Sequence, residues 1–202
     1  AERGLRDQSV LATKFTWNAV PGSPVTGGNG RKNIYRALEG SLKRLRTDYV
    51  DLYWLHHWDL VTPVEEVLGT LGDLVRAGRI RYFGLSNVPA WYAAETATLA
   101  RVHGVPGPTA LQLEYSLIER GLEREHAGAA RQYGLGITPW SPLAAGFLTG
   151  KYERGDARAR GEGRLGGPNP FGNSKFTERN WRVLEVLKAV AAELGCPPAQ
   201  VA

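Results

Sequence analysis

The sequence predicts an α/β fold and, within that class, a (β/α)8 (TIM) barrel of which about five central βα units are present. Three observations lead there. Five short runs rich in β-branched or aromatic residues alternate with segments of helical periodicity, and such alternation implies parallel strands joined by helical crossovers. Strands such as "VDLYWL" at 50–55 are almost continuously apolar, as burial on both faces requires. Lys14, His56, Ser86, Asn87, Gln112 and Trp140 fall at or near the C-terminal ends of five successive runs. Convergence of strand ends on one mouth is a trait of the closed barrel more than of the open doubly wound sheet.

In chain order, the strands are expected in "SVLATKF" from Ser9, "DYVDLYWLH" from Asp48, "IRYFGLS" from Ile80, "ALQLEY" from Ala110 and "GITPWS" from Gly136. The first helix lies in "NIYRALEGSLKRL", where Ile34, Ala37, Leu38, Leu42 and Leu45 form one stripe. The second lies in "PVEEVLGTLGDLVRAGR", with Val64, Val67, Leu68, Leu71, Leu74 and Val75 on one face. Pro63 is expected at its first helical position and Gly78 just past its end. Two more helices are expected at about 89–103 and 122–133. A Gly/Arg-rich stretch, "GKYERGDARARGEGRLGGPNPFGNSKF", then leads to a helix over 178–194.

Five units are fewer than the eight, over about 250 residues, that close such a barrel. "ERGLRD" at the start reads as the tail of a helix, and "CPPAQVA" at the end reads as the start of another. The expectation is a single, incomplete barrel domain over 1–202, with about two units before residue 1 and one after residue 202. An open sheet of five parallel strands would expose two unpaired edges.

Composition narrows the class. The 202 residues are 43% hydrophobic and 22% charged, which suits a packed globular core and not a disordered chain. The net charge is +5, but Lys and Arg are dispersed and form no block beside aromatics. That pattern suits a phosphate-bearing ligand better than nucleic acid. Cys196 is the single cysteine, and no Cys/His spacing suits a metal. No run approaches the roughly 20 apolar residues of a membrane span, so a cytoplasmic protein is expected. "GGNG" at 27–30 lacks the G-x-G-x-x-G spacing and its following acid, and reads as a loop and helix lead-in.

The stretches "VLATKF" (10–15), "GRKNIYRALEGSLKRLRTDYVDLYWLHHWD" (30–59), "GRIRYFGLSN" (78–87), "LQLEYSLIER" (111–120) and "GITPWSPLAAGFLTGKY" (136–152) together resemble the aldo-keto reductases. The likeness is to the branch related to aryl-alcohol dehydrogenases and potassium-channel β subunits. It implies reduction of a small carbonyl substrate with NADPH, by a tetrad of Asp, Tyr, Lys and His. Hydride attack on a carbonyl carbon leaves negative charge on oxygen, so such a site needs a proton donor and preorganised hydrogen bonds. A tyrosine, ordinarily near pKa 10, becomes a better donor when an ammonium group favours its phenolate.

Read from residues alone, Lys14 is better explained as a strand-end lysine reaching for solvent; the resemblance reverses this and assigns it to the tetrad. Successive strand side chains point to opposite faces, so His56 and His57 do not both enter the barrel. Alone, His56 could be a satisfied core histidine. The "DLYxxH" pattern makes His56 the group that polarises the substrate oxygen, and leaves His57 in the helix layer or loop.

The resemblance further assigns Ser86, Asn87 and Gln112 to the nicotinamide carboxamide. Trp140, which could equally fill core, becomes the aromatic surface against the ring. Ser141, Pro142, Leu143, Gly146 and Leu148 are assigned to the pyrophosphate and ribose, with Lys151 and Arg164 adding charge. Arg154, Arg158 and Arg160 crowd the same loop, and a solvated charge run is the competing reading there. His103, His126 and Cys196 carry no pattern.

The tetrad aspartate and tyrosine are expected upstream of Lys14. Asp7 is out of place, and no tyrosine precedes Tyr35. Residues 1–202 as a whole polypeptide are expected neither to fold stably nor to reduce carbonyls. A slow or non-catalytic nicotinamide-sensing subunit, similar to the channel β subunits, is the alternative; those subunits carry a different residue at the His56 position. A barrel hydrolase finds no paired carboxylates or metal constellation at strand ends.

Overall fold

A computed structural model describes residues 4–23, 25–154, 163–166 and 174–202. The chain divides into two compact units, one of Ala1–Leu113 with Glu123–Thr138 and one of Glu114–Leu122 with Pro139–Ala202.

The first unit holds β1 (Ala12–Phe15), α1 (Arg31–Leu45), β2 (Val50–Leu55), α2 (Val64–Arg76), β3 (Ile80–Ser86), α3 (Ala90–His103), β4 (Ala110–Gln112), α4 (His126–Tyr133) and β5 (Gly136–Ile137). The strands form one sheet in chain order, parallel throughout. This is the succession of βα units that builds a (β/α)8 barrel. Apolar periodicity explains the layers: Ile34, Leu38 and Leu42 of α1 are buried, as are Val67, Leu68, Leu71 and Leu74 of α2. In the strands, Val50, Tyr53, Leu55, Phe83 and Leu85 are fully buried, each contributing about 1.5–3 kcal/mol of apolar burial.

Helix ends follow their chemistry. Gly104 and Gly134 cap α3 and α4 in the left-handed region, at φ 62° and 69°. Pro63 is one position earlier than expected: it is the N-cap of α2, extended at ψ 144°, and the helix begins at Val64. Strands β1, β2, β4 and β5 are shorter than the runs that contain them, and β2 stops at Leu55, one residue before His56.

Register matters most for the site. Lys14 pairs with Trp54, Phe15 with Leu55, Leu55 with Leu85, and Ser86 with Gln112. Strand ends are thereby level across four strands. Close approach at Gly84 supports this alignment, because a Cβ there would stand 2.6 Å from Trp54 Cε3 and 2.9 Å from the Ala110 carbonyl.

The second unit holds α5 (Glu178–Glu193) and α6 (Pro198–Val201), with a short 3-10 segment at Ala144–Thr149. Its core gathers Ile118, Phe147, Leu148, Tyr152, Leu165, Trp181, Leu184 and Leu187. Phe147 and Trp181 meet edge to face at 4.8 Å, and Phe176 stacks on Trp181 at 5.9 Å. Thr177 starts α5 by accepting a hydrogen bond from the Asn180 amide at 3.2 Å.

Candidate active site

In the first unit, five of the singled-out residues form one connected group. Lys14 Nζ donates to Gln112 Oε1. The Asn87 amide donates to the Gln112 carbonyl at 3.2 Å, and Asn87 Nδ2 donates to Ser86 Oγ at 3.0 Å and to the His56 carbonyl at 2.9 Å. Ser86 is fully buried. Asn87 takes φ 50°, a left-handed turn that asparagine tolerates well, and this swings its side chain back over the strand ends.

Lys14 and His56 line one cleft of about 470 Å³ with Phe15, Trp17, Arg36 and Arg44. Burial draws the Lys14 ammonium below its ordinary pKa. Trp54 lies beneath it, 5.6 Å from ring centre to Nζ. Burial also lowers the His56 pKa, and the positive charge of Lys14 and then His57 lowers it further. His56 is therefore a neutral imidazole near pH 7, able to offer one N–H and one lone pair. His57 is exposed, and its ring stacks on exposed Trp17 at 5.5 Å.

Three further residues hold the segment around His56. Thr16, Asn29 and Asp59 are joined by hydrogen bonds to one another and to the His56 and His57 backbone. One signal for them was visible: Asp59 stands three residues before Thr62, and its carboxylate accepts from the Thr62 amide at 3.0 Å and hydroxyl at 2.6 Å, the local turn bonding that aspartate favours. "GGNG" is a loop leading into α1, with Gly28 at φ 83° and Gly30 as the N-cap.

The second unit assembles the loop residues by backbone geometry. Glu114 and Trp140 form a parallel bridge, and the Tyr115 amide donates to the Trp140 carbonyl at 3.3 Å. Ser141 turns left-handed at φ 57°, and its Oγ accepts from the Ala145 amide at 3.0 Å. Ala144, Ala145 and Gly146 follow at φ 49°, 56° and 95°. The Leu143 carbonyl accepts from the Gly146 and Leu148 amides at 2.9 and 3.2 Å. Pro142 is exposed, whereas the Leu148 side chain is fully buried in the core, leaving its backbone as what it presents.

Lys151 is exposed and runs between two glycines. A Cβ on Gly146 would stand 3.2 Å from Lys151 Cε, and one on Gly163 would overlap Lys151 Nζ. This slot, with exposed Arg164 next in the chain, fits an anionic phosphate chain: a point charge beside backbone that no Cβ shields. Arg154 is drawn away to Glu178 and Glu185 at 3.4 Å each. Arg158 and Arg160 lie outside the described residues. Among the described residues, no group of three His, Cys, Asp or Glu could hold a metal ion, and no helix is long and apolar enough to cross a membrane.

Comparison with known proteins places the chain among its relatives. The chain is 32% identical over 201 residues to the protein named "Putative aryl-alcohol dehydrogenase AAD10" of Saccharomyces cerevisiae, covering 96% of this chain and 69% of that one. It is 37% identical over 198 residues to "Probable voltage-gated potassium channel subunit beta" of Oryza sativa subsp. japonica, covering 98% and 60%. It is also 37% identical over 202 residues to "Uncharacterized oxidoreductase YrpG" of Bacillus subtilis, covering 98% and 59%. The chain thus spans about three fifths to two thirds of the length of these relatives. The sequence pattern of the Aldo/keto reductase family matches residues 1–202 throughout, and with the parallel sheet and its level strand ends it establishes that the chain belongs to the aldo/keto reductase family.

Proposed function

We propose that residues 1–202 are the central part of a single barrel domain of an NADPH-dependent oxidoreductase that reduces small aldehydes or ketones to alcohols. The observation that carries this reading is the connected strand-end group of Lys14, Gln112, Asn87, Ser86 and His56. When bound, the nicotinamide cofactor supplies the hydride. Every other part of the chemistry falls to side chains.

His56, held neutral, donates an N–H to the substrate oxygen as negative charge develops there. Lys14 places a positive charge in the same cleft, which eases release of a proton from a tyrosine donor upstream of it in the chain. Gln112 accepts from Lys14 through Oε1, so its amide NH2 is the end that would meet a carboxamide oxygen. Ser86, the register partner of Gln112, and Asn87, whose amide donates to the Gln112 carbonyl, stand beside it to orient that group. In the second unit, Trp140 offers a flat apolar face, Ser141, Pro142, Leu143, Gly146 and Leu148 a turn around the pyrophosphate and ribose, and Lys151 and Arg164 positive charge. A cytoplasmic site of action goes with this reading.

The test uses the full chain, by titrating it with NADPH while following fluorescence and then adding an aromatic aldehyde. Quenching on binding and loss of NADPH absorbance on turnover are expected. Absence of both would refute the reading. The 37% identity to a protein named as a channel subunit gives the second reading its support. Tight NADPH binding with negligible turnover and a stable partner protein would favour it.

A further inference from the structure

Thr16 adopts the least ordinary backbone conformation beside His56. Its φ is 102°, a region in which a β-branched residue is an outlier and glycine is the default. Such a conformation persists only where the surroundings over-determine it, and observed strain of this kind is grounds for a functional hypothesis. Here the surroundings are explicit. The Thr16 carbonyl accepts from the Gly28 amide at 2.7 Å, and its hydroxyl meets Asn29 Oδ1 at 2.6 Å.

Hydrogen-bond polarity then runs one way. Asn29 is fully buried, and its Nδ2 donates to the His57 carbonyl at 3.0 Å, so its Oδ1 is the acceptor end and the Thr16 hydroxyl must donate to it. With its proton committed, the hydroxyl turns a lone pair to the His56 amide, which donates at 3.3 Å. Asp59 fixes Asn29 from the other side by accepting its backbone N–H at 2.7 Å, and is itself held by Thr62. The His56 carbonyl is taken by Asn87. Both backbone polar groups of His56 are thereby fastened.

We propose that Thr16, Asn29 and Asp59 are positioning residues, a hydrogen-bonded relay that sets the direction of the His56 ring within the Lys14 cleft. The proposal rests on the reading of His56 as the group facing the carbonyl oxygen. The strained threonine persists where glycine would relax the backbone, because glycine would bring no hydroxyl.

The test compares Thr16→Val, which deletes the hydroxyl at constant shape, with Thr16→Ser, which keeps it, and with Asp59→Asn, which weakens the far end of the relay. Ring titrations of the four histidines are followed by NMR, alongside NADPH affinity and turnover. Burial and then the charges of Lys14 and His57 lower the His56 pKa, so a ring released from the cleft should titrate higher, toward about 6.5. In Thr16→Val, His56 alone should move upward, with His57, His103 and His126 unchanged, and Thr16→Ser should restore the original titration. Turnover in Thr16→Val should fall by about tenfold to a hundredfold, the scale of a small misplacement, at unchanged NADPH affinity. Asp59→Asn should move His56 the same way by less, and decides the matter if Thr16→Val does not fold. An unmoved His56 in the folded variants, or a common shift of all four histidines, would overturn the proposal. Absence of turnover in the unaltered protein would refute the functional reading alone, and the titrations would still decide the relay.

Discussion

The two units present chemistry by different means. In the first, the singled-out residues are side chains at the ends of paired strands, where register fixes their spacing: Ser86 stands beside Gln112 because β3 and β4 pair there. In the second, the corresponding residues lie on irregular backbone, where consecutive left-handed residues at Ala144, Ala145 and Gly146 and a slot between Gly146 and Gly163 shape what a ligand would meet. Proton handling and carbonyl polarisation need directed side chains held within fractions of an ångström, which a sheet supplies. A phosphate chain needs close backbone approach and positive charge, which a glycine-containing loop supplies. A substitution at Lys14 or His56 should therefore change rate, and one in the loop of the second unit should change affinity.

The largest expected effect tests that contrast. Lys14→Met removes the cation from the strand-end group while filling similar volume. Turnover should fall by about 10²- to 10⁴-fold, the range for a lost acid–base contribution, with NADPH affinity within about twofold by fluorescence titration. Loss of affinity at unchanged turnover would break the division of labour between the units.

How legible each unit was follows from the same contrast. "IRYFGLS" predicts β3 at its observed bounds, because a run of β-branched and aromatic residues bounded by Gly78 and Asn87 has few other conformations. Strand alternation is not what separates His56 from His57, because β2 ends at Leu55; both lie on the segment just past it, where His56 is half-buried and His57 exposed. Thr16, Asn29 and Asp59 were not legible as a group, since they come from three segments and their connection lies in hydrogen-bond polarity, which carries no periodic signal. The core placement of the Leu148 side chain was equally hidden, for on irregular backbone no period assigns a face. The Lys14–Gln112 hydrogen bond joins residues 98 positions apart, and only strand order and register bring them together.

The next effect concerns the frame that holds the strand-end group. Gly84→Ala would drive a methyl group into Trp54 and the Ala110 carbonyl, and both belong to adjoining strands. A loss of about 1–3 kcal/mol is expected from such overpacking, read as a lower midpoint in urea. Gly69→Ala is the control: it lies on α2 with nothing within 4 Å of its Cβ, and should instead stabilise by about 0.5–1 kcal/mol. Equal outcomes would show that the strands are not packed as tightly at Gly84 as the register requires.

A smaller effect is expected in the loop. Gly163→Ala places a methyl group on Lys151 Nζ and within 2.8 Å of the Tyr152 hydroxyl, at a backbone φ of 137° that already resists a side chain. Displacing Lys151 should weaken NADPH about tenfold, or roughly 1.4 kcal/mol, while turnover at saturating NADPH stays near that of the unaltered protein. A fall in turnover at full saturation would place the loop in the rate-determining machinery and erase the distinction drawn above.

The smallest effect is a pH dependence of stability that belongs to His56. Its native pKa is lowered by burial and by Lys14, whereas in the unfolded chain it stands near 6.5. Between those two values the unfolded state binds more protons than the native state, so stability falls as pH drops below about 6.5 and levels off beneath the native pKa. Lys14 is also lowered by burial, so its own contribution runs upward in pH and ends at the ordinary lysine pKa. Asp51 and Asp59 are lowered as well; as carboxylates they lose stability only where pH falls through and below their ordinary value of 3.8. In the interval just below 6.5, His56 contributes this slope, its titration drawn down by burial and then by Lys14 and His57. Urea midpoints measured from pH 7.5 to 5 should slope downward for the unaltered protein and run flatter for His56→Gln, which retains a polar side chain without a titrating group. Parallel curves would mean that His56 is as free in the native chain as in the unfolded one, and the cleft beside Lys14 would then hold no directed imidazole.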